Sequence, residues 1–228
     1  AMINRGKIDQ EYPLFILYNK SDIPGRPESI SIHAKSSSDV FGKPQNLNKY
    51  NKVLKILILG CKSLKKSKCK FIVIPCNTAH YWYDDLKKKI KLPIINMPKE
   101  VLNHTIKTCR KNSTIGLLAT EGTLKTGIYN KFFDKDYNLI FPDSKIQKNS
   151  VNKAIKRVNM RTVKSANKLI KPAIDYLIKK RCKKIILGCT ELPIAIFAFK
   201  SFKTIKTSKI FLDPNLILAN ATMKKYSK

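Results

Sequence analysis

Residues 71–80, FIVIPCNTAH, and residues 184–193, KIILGCTELP, are built alike. Each is a short apolar run rich in Ile that reaches a cysteine, Cys76 or Cys189. Each has a threonine close by, Thr78 or Thr190, and then passes into the start of another element. A short apolar run bounded by turn residues reads as a strand buried on both faces. Two such runs, each closed by a cysteine, raise the question of a repeat.

Working outward, further strands are expected near 14–19 (LFILYN), 93–97 (PIINM), 114–119 (TIGLLA), 138–142 (NLIFP) and 209–213 (KIFLD). Lysine-rich amphipathic stretches separate them, at 47–66, 79–90, 98–110, 122–133, 151–180 and 215–226. In the fifth of these, Ala166, Leu169, Ile170, Ala173, Ile174, Leu177 and Ile178 recur at helical spacing. Strands alternating with helices predict an α/β fold with a mostly parallel sheet flanked by helices.

The order of elements also repeats. NLIFP answers LFILYN, KIILGC answers FIVIPC, and KIFLDP answers PIINMP, while Cys69 and Cys182 each stand seven residues before their partner cysteine. The expectation is two similar α/β domains, residues 1–110 and 111–228, each a mostly parallel four-stranded sheet. TIGLLATEGT alone has no counterpart in the first set. Its counterpart belongs ahead of LFILYN, so an opening strand and most of a helix are expected upstream, with another segment or subunit as the alternative source.

Composition sets the class. With 228 residues, 43% hydrophobic and 27% charged, the chain reads as a globular protein, and no apolar run is long enough to span a membrane. No secretory pattern opens it, so the cytoplasm is the expected compartment. The net charge of +31 invites a nucleic-acid reading, but only six of the 46 basic residues are arginine and the lysines are spread along the chain. A solvated lysine surface, with no specific nucleic-acid partner, is the expectation. The six cysteines form no CxxC pair, and His33, His80 and His104 are scattered, so neither a zinc site nor a disulfide framework is read.

Ligands of parallel α/β sheets gather at the carboxyl ends of the strands, where Cys76 and Cys189 stand. Each leads into an expected helix start, whose free N–H groups bind carboxylates and lower a thiol's pKa. If the halves face each other, one thiol lies on either face of a small acid. One cysteine can then remove a proton as thiolate while the other returns one as thiol. Carbanion stabilisation falls to nearby N–H and hydroxyl donors.

On these residues the chain resembles the aspartate/glutamate racemase family, the cofactor-independent amino-acid racemases. PCNTAH and LGCTELP are similar to that family's two cysteine signatures. DQEYPLFILYNKSDIPGRP (9–27), GLLATEGTLKTGIY (116–129) and FLDP (211–214) resemble other segments of it. The resemblance implies two similar α/β domains with the site between them and Cys76 and Cys189 as the acid/base pair. It implies that Asn77, Thr78 and Thr190 hold the α-carboxylate and that Arg26 holds a side-chain carboxylate. Thr120 and Thr123 would add donors, Glu191 would orient the neighbouring thiol or cap its helix, and His80 reads as a helix-face residue. No pyridoxal phosphate or metal is implied; a small amino-acid substrate and a homodimer are.

The chain departs from the pattern at Gly25 and Pro27, in the long polar stretch 33–50 that is a candidate lid, and at Asn159, where the family often offers a lysine. Lys164 lies nearby but is shifted. Glu191 stands where glutamate racemases of cell-wall synthesis read His, which favours the aspartate-type branch. The other readings are hydantoin racemisation or maleate isomerisation on the same scaffold, and a non-catalytic basic binding protein.

Overall fold

A computed structural model describes residues 12–30, 46–197 and 209–227. Six strands are assigned: β1 Ile72–Val73, β2 Ile94–Ile95, β3 Thr114–Ala119, β4 Asn138–Ile140, β5 Lys184–Gly188 and β6 Phe211–Leu212. All pair in parallel. One sheet holds β1 and β2, with Ile72 opposite Ile94; the other has the order β4-β3-β5-β6. Helices α1 Leu47–Lys66, α2 Tyr83–Lys89 and α3 Met97–Thr108 belong to the first half. The second half carries α4 Glu121–Lys125, α5 Asn130–Phe133, α6 Ser144–Ile146, α7 Lys153–Asn159, α8 Val163–Lys179, α9 Leu192–Phe197 and α10 Pro214–Tyr226. The fold is α/β, with parallel sheets flanked by helices.

The four-stranded sheet is covered on both faces, which explains the continuous apolar character of β3 and β5. Ile115, Leu117 and Ala119 point to a layer with Tyr129, Phe133 and Tyr137. Leu118, Ile185 and Leu187 point to the other, against Ala166, Ile170, Ala173, Ile174 and Leu177 of α8. That face of α8 is the one its sequence spacing marks, except that Ile178 is exposed.

The internal repeat is visible in the backbone. Lys68 and Arg181 both adopt left-handed conformation, with φ 60° and 59°. Each is followed by a cysteine whose N–H bonds back five residues, Cys69 to Leu64 and Cys182 to Leu177. The same helix stop therefore feeds β1 and β5. Beyond β2, Asn96 caps α3 by accepting the Lys99 N–H; beyond β6, Asp213 caps α10 by accepting that of Asn215. Each helix carries a proline in its first turn, Pro98 and Pro214. These equivalent helices, α3 and α10, pack on each other, with Ile95, Met97 and Leu218 buried between the halves.

Residues 14–19 do not form the expected strand. They carry no ladder, and Leu14 and Phe15 are 89% and 83% exposed. The order of the second sheet gives the reason. LFILYN is equivalent to β4 and β1 to β5, so the counterpart of β3 belongs between them. Among the described residues nothing occupies that place, so the first sheet has two strands where four are expected. A strand exists only as half of a hydrogen-bonded pair, and apolar composition cannot substitute for the partner.

Three expected helices are also interrupted. Residues 79–90 split into a five-residue 3-10 turn, Thr78–Trp82, and α2. Residues 122–133 break at Gly127, whose φ of 59° ends α4, and 151–180 break at Arg161, also at φ 59°. The candidate lid lies largely outside the described residues, with only 46–50 seen, where they start α1. No described helix is long and apolar enough to cross a membrane.

Candidate active site

Register places the chemistry. Ala119 pairs with Gly188, so Thr120 and Cys189 leave the same edge of the sheet side by side. In the first half the chain leaves β1 and turns at once, the Cys76 N–H donating to the Ile74 carbonyl at 2.8 Å. Asn77 and Thr78 follow, both buried.

Three hydroxyls tie the two strand ends together. Thr78 Oγ1 lies 2.8 Å from Thr123 Oγ1 and 3.3 Å from Thr120 Oγ1, and the Thr120 hydroxyl donates to Thr123 at 3.1 Å. Thr120 also caps α4 through the Thr123 N–H. The Arg26 loop closes on this helix. A Cβ at Gly122 would sit 2.8 Å from Pro27 Cα and 3.6 Å from Thr78 Cγ2, so glycine permits the approach of the two backbones. Arg26 itself is half-buried, next to that contact.

On the other side, the Cys189 thiol and the Thr190 hydroxyl both donate to Glu191 Oε2, each at 2.9 Å. Burial pushes the Cys189 pKa well up, the Glu191 carboxylate adds to it, and charge on Cys76 adds further. The expectation of a thiol acidified by a helix start is overturned at Cys189. Desolvation and the Glu191 carboxylate outweigh the lowering effect of the Glu191 backbone N–H at the start of α9.

His80 is structural. Its Nδ1 donates to the Cys76 carbonyl at 2.9 Å, because Nε2 accepts the Met97 N–H at 3.0 Å. Burial lowers its pKa, keeping the ring neutral.

Sequence reasoning missed Tyr129 and Asp213. Tyr129 is fully buried and its hydroxyl donates to Asn77 Oδ1 at 2.6 Å; Asp213, half-buried at the end of β6, has a pKa raised by burial. Tyr129 sits in an amphipathic run where any aromatic reads as core, whereas FLDP had at least marked Asp213 as a strand end. Asn159 and Lys164 stand on either side of the Arg161 turn. Lys164 lines a shallow depression with Arg161, Thr162, Ser165 and Lys168, and neither thiol is part of it.

A family model described as Asp/Glu/Hydantoin racemase matches residues 1–222. The chain belongs to this racemase family. Over 177 residues it is 23% identical to the broad specificity amino-acid racemase RacX of Bacillus subtilis (strain 168), covering 78% of this chain and 74% of RacX. It is 27% identical over 137 residues to a glutamate racemase of Corynebacterium diphtheriae, covering 58% of this chain and 49% of that protein. The chain thus spans about half that glutamate racemase's length.

Among solved structures, the aspartate racemase of Picrophilus torridus superposes with a TM-score of 0.75 at 27% identity, covering all of this chain and 85% of that one. An aspartate racemase homologue from Pyrococcus horikoshii OT3 has the same fold, with a TM-score of 0.66 at 22% identity over 81% of this chain and 78% of that one. These racemase neighbours have the two-domain fold of the family, and membership supports amino-acid racemase activity, an isomerase reaction.

Proposed function

We propose that this chain racemises an acidic amino acid, aspartate in the first place, by a two-base mechanism on Cys76 and Cys189 without pyridoxal phosphate. The observation that supports the reading is that Thr78, two residues on from Cys76, lies 2.8 Å from Thr123 Oγ1 and 3.3 Å from Thr120 Oγ1, and Thr120 leaves the sheet beside Cys189. The division into domains 1–110 and 111–228, with the substrate between them, is part of it, as is a homodimer, whose mass light scattering would give.

In this reading Cys189 keeps its proton at rest. A substrate enters with its α-hydrogen toward Cys76, the Cys76 thiolate removes it, and the Cys189 thiol delivers its own proton to the opposite face. The enantiomer runs the sequence backwards, with Cys189 as base. A thiolate beside Glu191 is scarce but strongly basic, which suits removal of a proton from a weak carbon acid. Asn77, Thr78 and Thr190 hold the α-carboxylate, and Thr120 and Thr123 orient Thr78. Arg26 takes the side-chain carboxylate in a planar, bidentate grip. No group in the scheme changes oxidation state, and each proton removed is matched by one returned.

The test is incubation with each enantiomer of aspartate and glutamate in D₂O. The expected result is loss of the α-proton signal with deuterium appearing in the opposite enantiomer. Retention of the α-proton in all four acids would overturn the reading.

A further inference from the structure

Asn77, next to Cys76, is 2% exposed, yet only one end of its amide is used. Oδ1 accepts from the Tyr129 hydroxyl at 2.6 Å, while Nδ2 has no hydrogen-bond partner. A buried amide N–H₂ without an acceptor is costly, and native proteins keep such groups where a ligand completes them. Tyr129 comes from the other half of the molecule, 52 residues away, and its ring is locked beside Phe133. Burial, with the charges of Asp213 and Cys189, raises its pKa, so the hydroxyl keeps the proton that it donates to Oδ1. With Oδ1 taken up by that donor, Nδ2 is the end of the amide left for a ligand.

We propose that Tyr129 is a positioning residue: it fixes the Asn77 amide so that Nδ2 is presented as a donor to the substrate's carboxylate, and so couples closure of the two halves to substrate binding. The proposal rests on the racemase reading above. Phenylalanine at 129 would keep the packing and release the amide. An aspartate at 77 would keep the acceptor for Tyr129 and replace the donor with a repelling oxygen.

The experiment measures KM and kcat for aspartate, with thermal midpoints, for the wild type, Tyr129→Phe, Asn77→Ala and the double variant. Tyr129→Phe is expected to raise KM about tenfold, the worth of one well-made hydrogen bond, with a much smaller change in kcat. Because Tyr129 acts through Asn77, adding Tyr129→Phe to Asn77→Ala should raise KM no further. Additive effects, or an unchanged KM in Tyr129→Phe, would overturn the proposal while leaving an active wild type intact as a racemase. An inactive wild type would sink the racemase reading first. Should Tyr129→Phe not fold, ¹⁵N-labelled wild type decides: the Asn77 side-chain amide resonances must shift on adding aspartate, and unmoved resonances reject the role.

Discussion

The Cys189 thiol donates to the carboxylate of Glu191, two residues along its own turn, at 2.9 Å. A thiol so placed resists ionisation twice, through burial and through the negative charge that its own anion would face. Glu191→Gln removes the second effect and leaves the first. Alkylation of Cys189 by iodoacetamide, followed by peptide mass spectrometry in a Cys76→Ser background, should then quicken at pH 8. The gain is about tenfold for each unit by which the pKa falls. An equal or slower rate would show that Glu191 does not hold the proton on Cys189.

On the proposed mechanism each thiol serves one face, so single cysteine variants should separate exchange from inversion. Cys76→Ala should lose racemisation by roughly 10³-fold, yet still exchange the α-hydrogen of the one enantiomer that faces Cys189. Cys189→Ala should show the opposite preference. Exchange of both enantiomers by either variant would mean that a single base serves both faces.

Arg26 is tested by selectivity rather than by rate alone. Arg26→Ala should reduce kcat/KM for aspartate by roughly 10²-fold or more, and Arg26→Lys should recover little, because a point charge does not replace a planar fork. A variant whose ratio of aspartate to alanine turnover matches the wild type removes Arg26 from the site.

His80 predicts an acid limb in stability. Its pKa is lowered in the fold by burial, so the folded chain binds the proton less readily than the unfolded one. Its contribution is whole above the ordinary histidine value near 6.5 and is lost as pH falls below that toward the folded value. Chemical denaturation between pH 8 and 5 should show stability falling on the acid side, with a gentler slope in His80→Gln. Parallel slopes would place the acid sensitivity elsewhere.

The exposed apolar run Leu14–Leu17 should govern solubility without governing the fold, since it joins no strand ladder among the described residues. Phe15→Lys with Leu17→Lys should reduce aggregation, and the thermal midpoint should stay within a degree or two. Amide exchange at 14–18 should be complete in the first seconds. A large drop in the midpoint, or slow exchange there, would show that the run is already paired.

Much of this architecture was legible from local pattern. The run ending at Cys189 is a strand end because apolar residues buried on both faces leave a continuous signature, whereas the run to Cys76 holds a ladder only at Ile72–Val73; the repeat survives in the stops at Lys68 and Arg181. What stayed hidden depends on partners. LFILYN has a strand's composition, but its ladder needs a neighbour that composition cannot supply. The break at Arg161 required a non-glycine residue in left-handed conformation, which no spacing announces. The acidity of Cys189 was misjudged because a helix start is visible in sequence, whereas the depth of burial around it is not. Tyr129 stands out from the core only once Asn77 is seen at its hydroxyl.

The bridge through His80 has a mechanical consequence. Its ring clamps the carbonyl of Cys76 to the first residue of α3, and α3 lies on α10, the seam between the halves. Any opening that admits substrate by sliding α3 along α10 must therefore drag Cys76 with it. On the proposed mechanism, a movement of α3 along α10 and a change in the spacing of the two thiols are one motion.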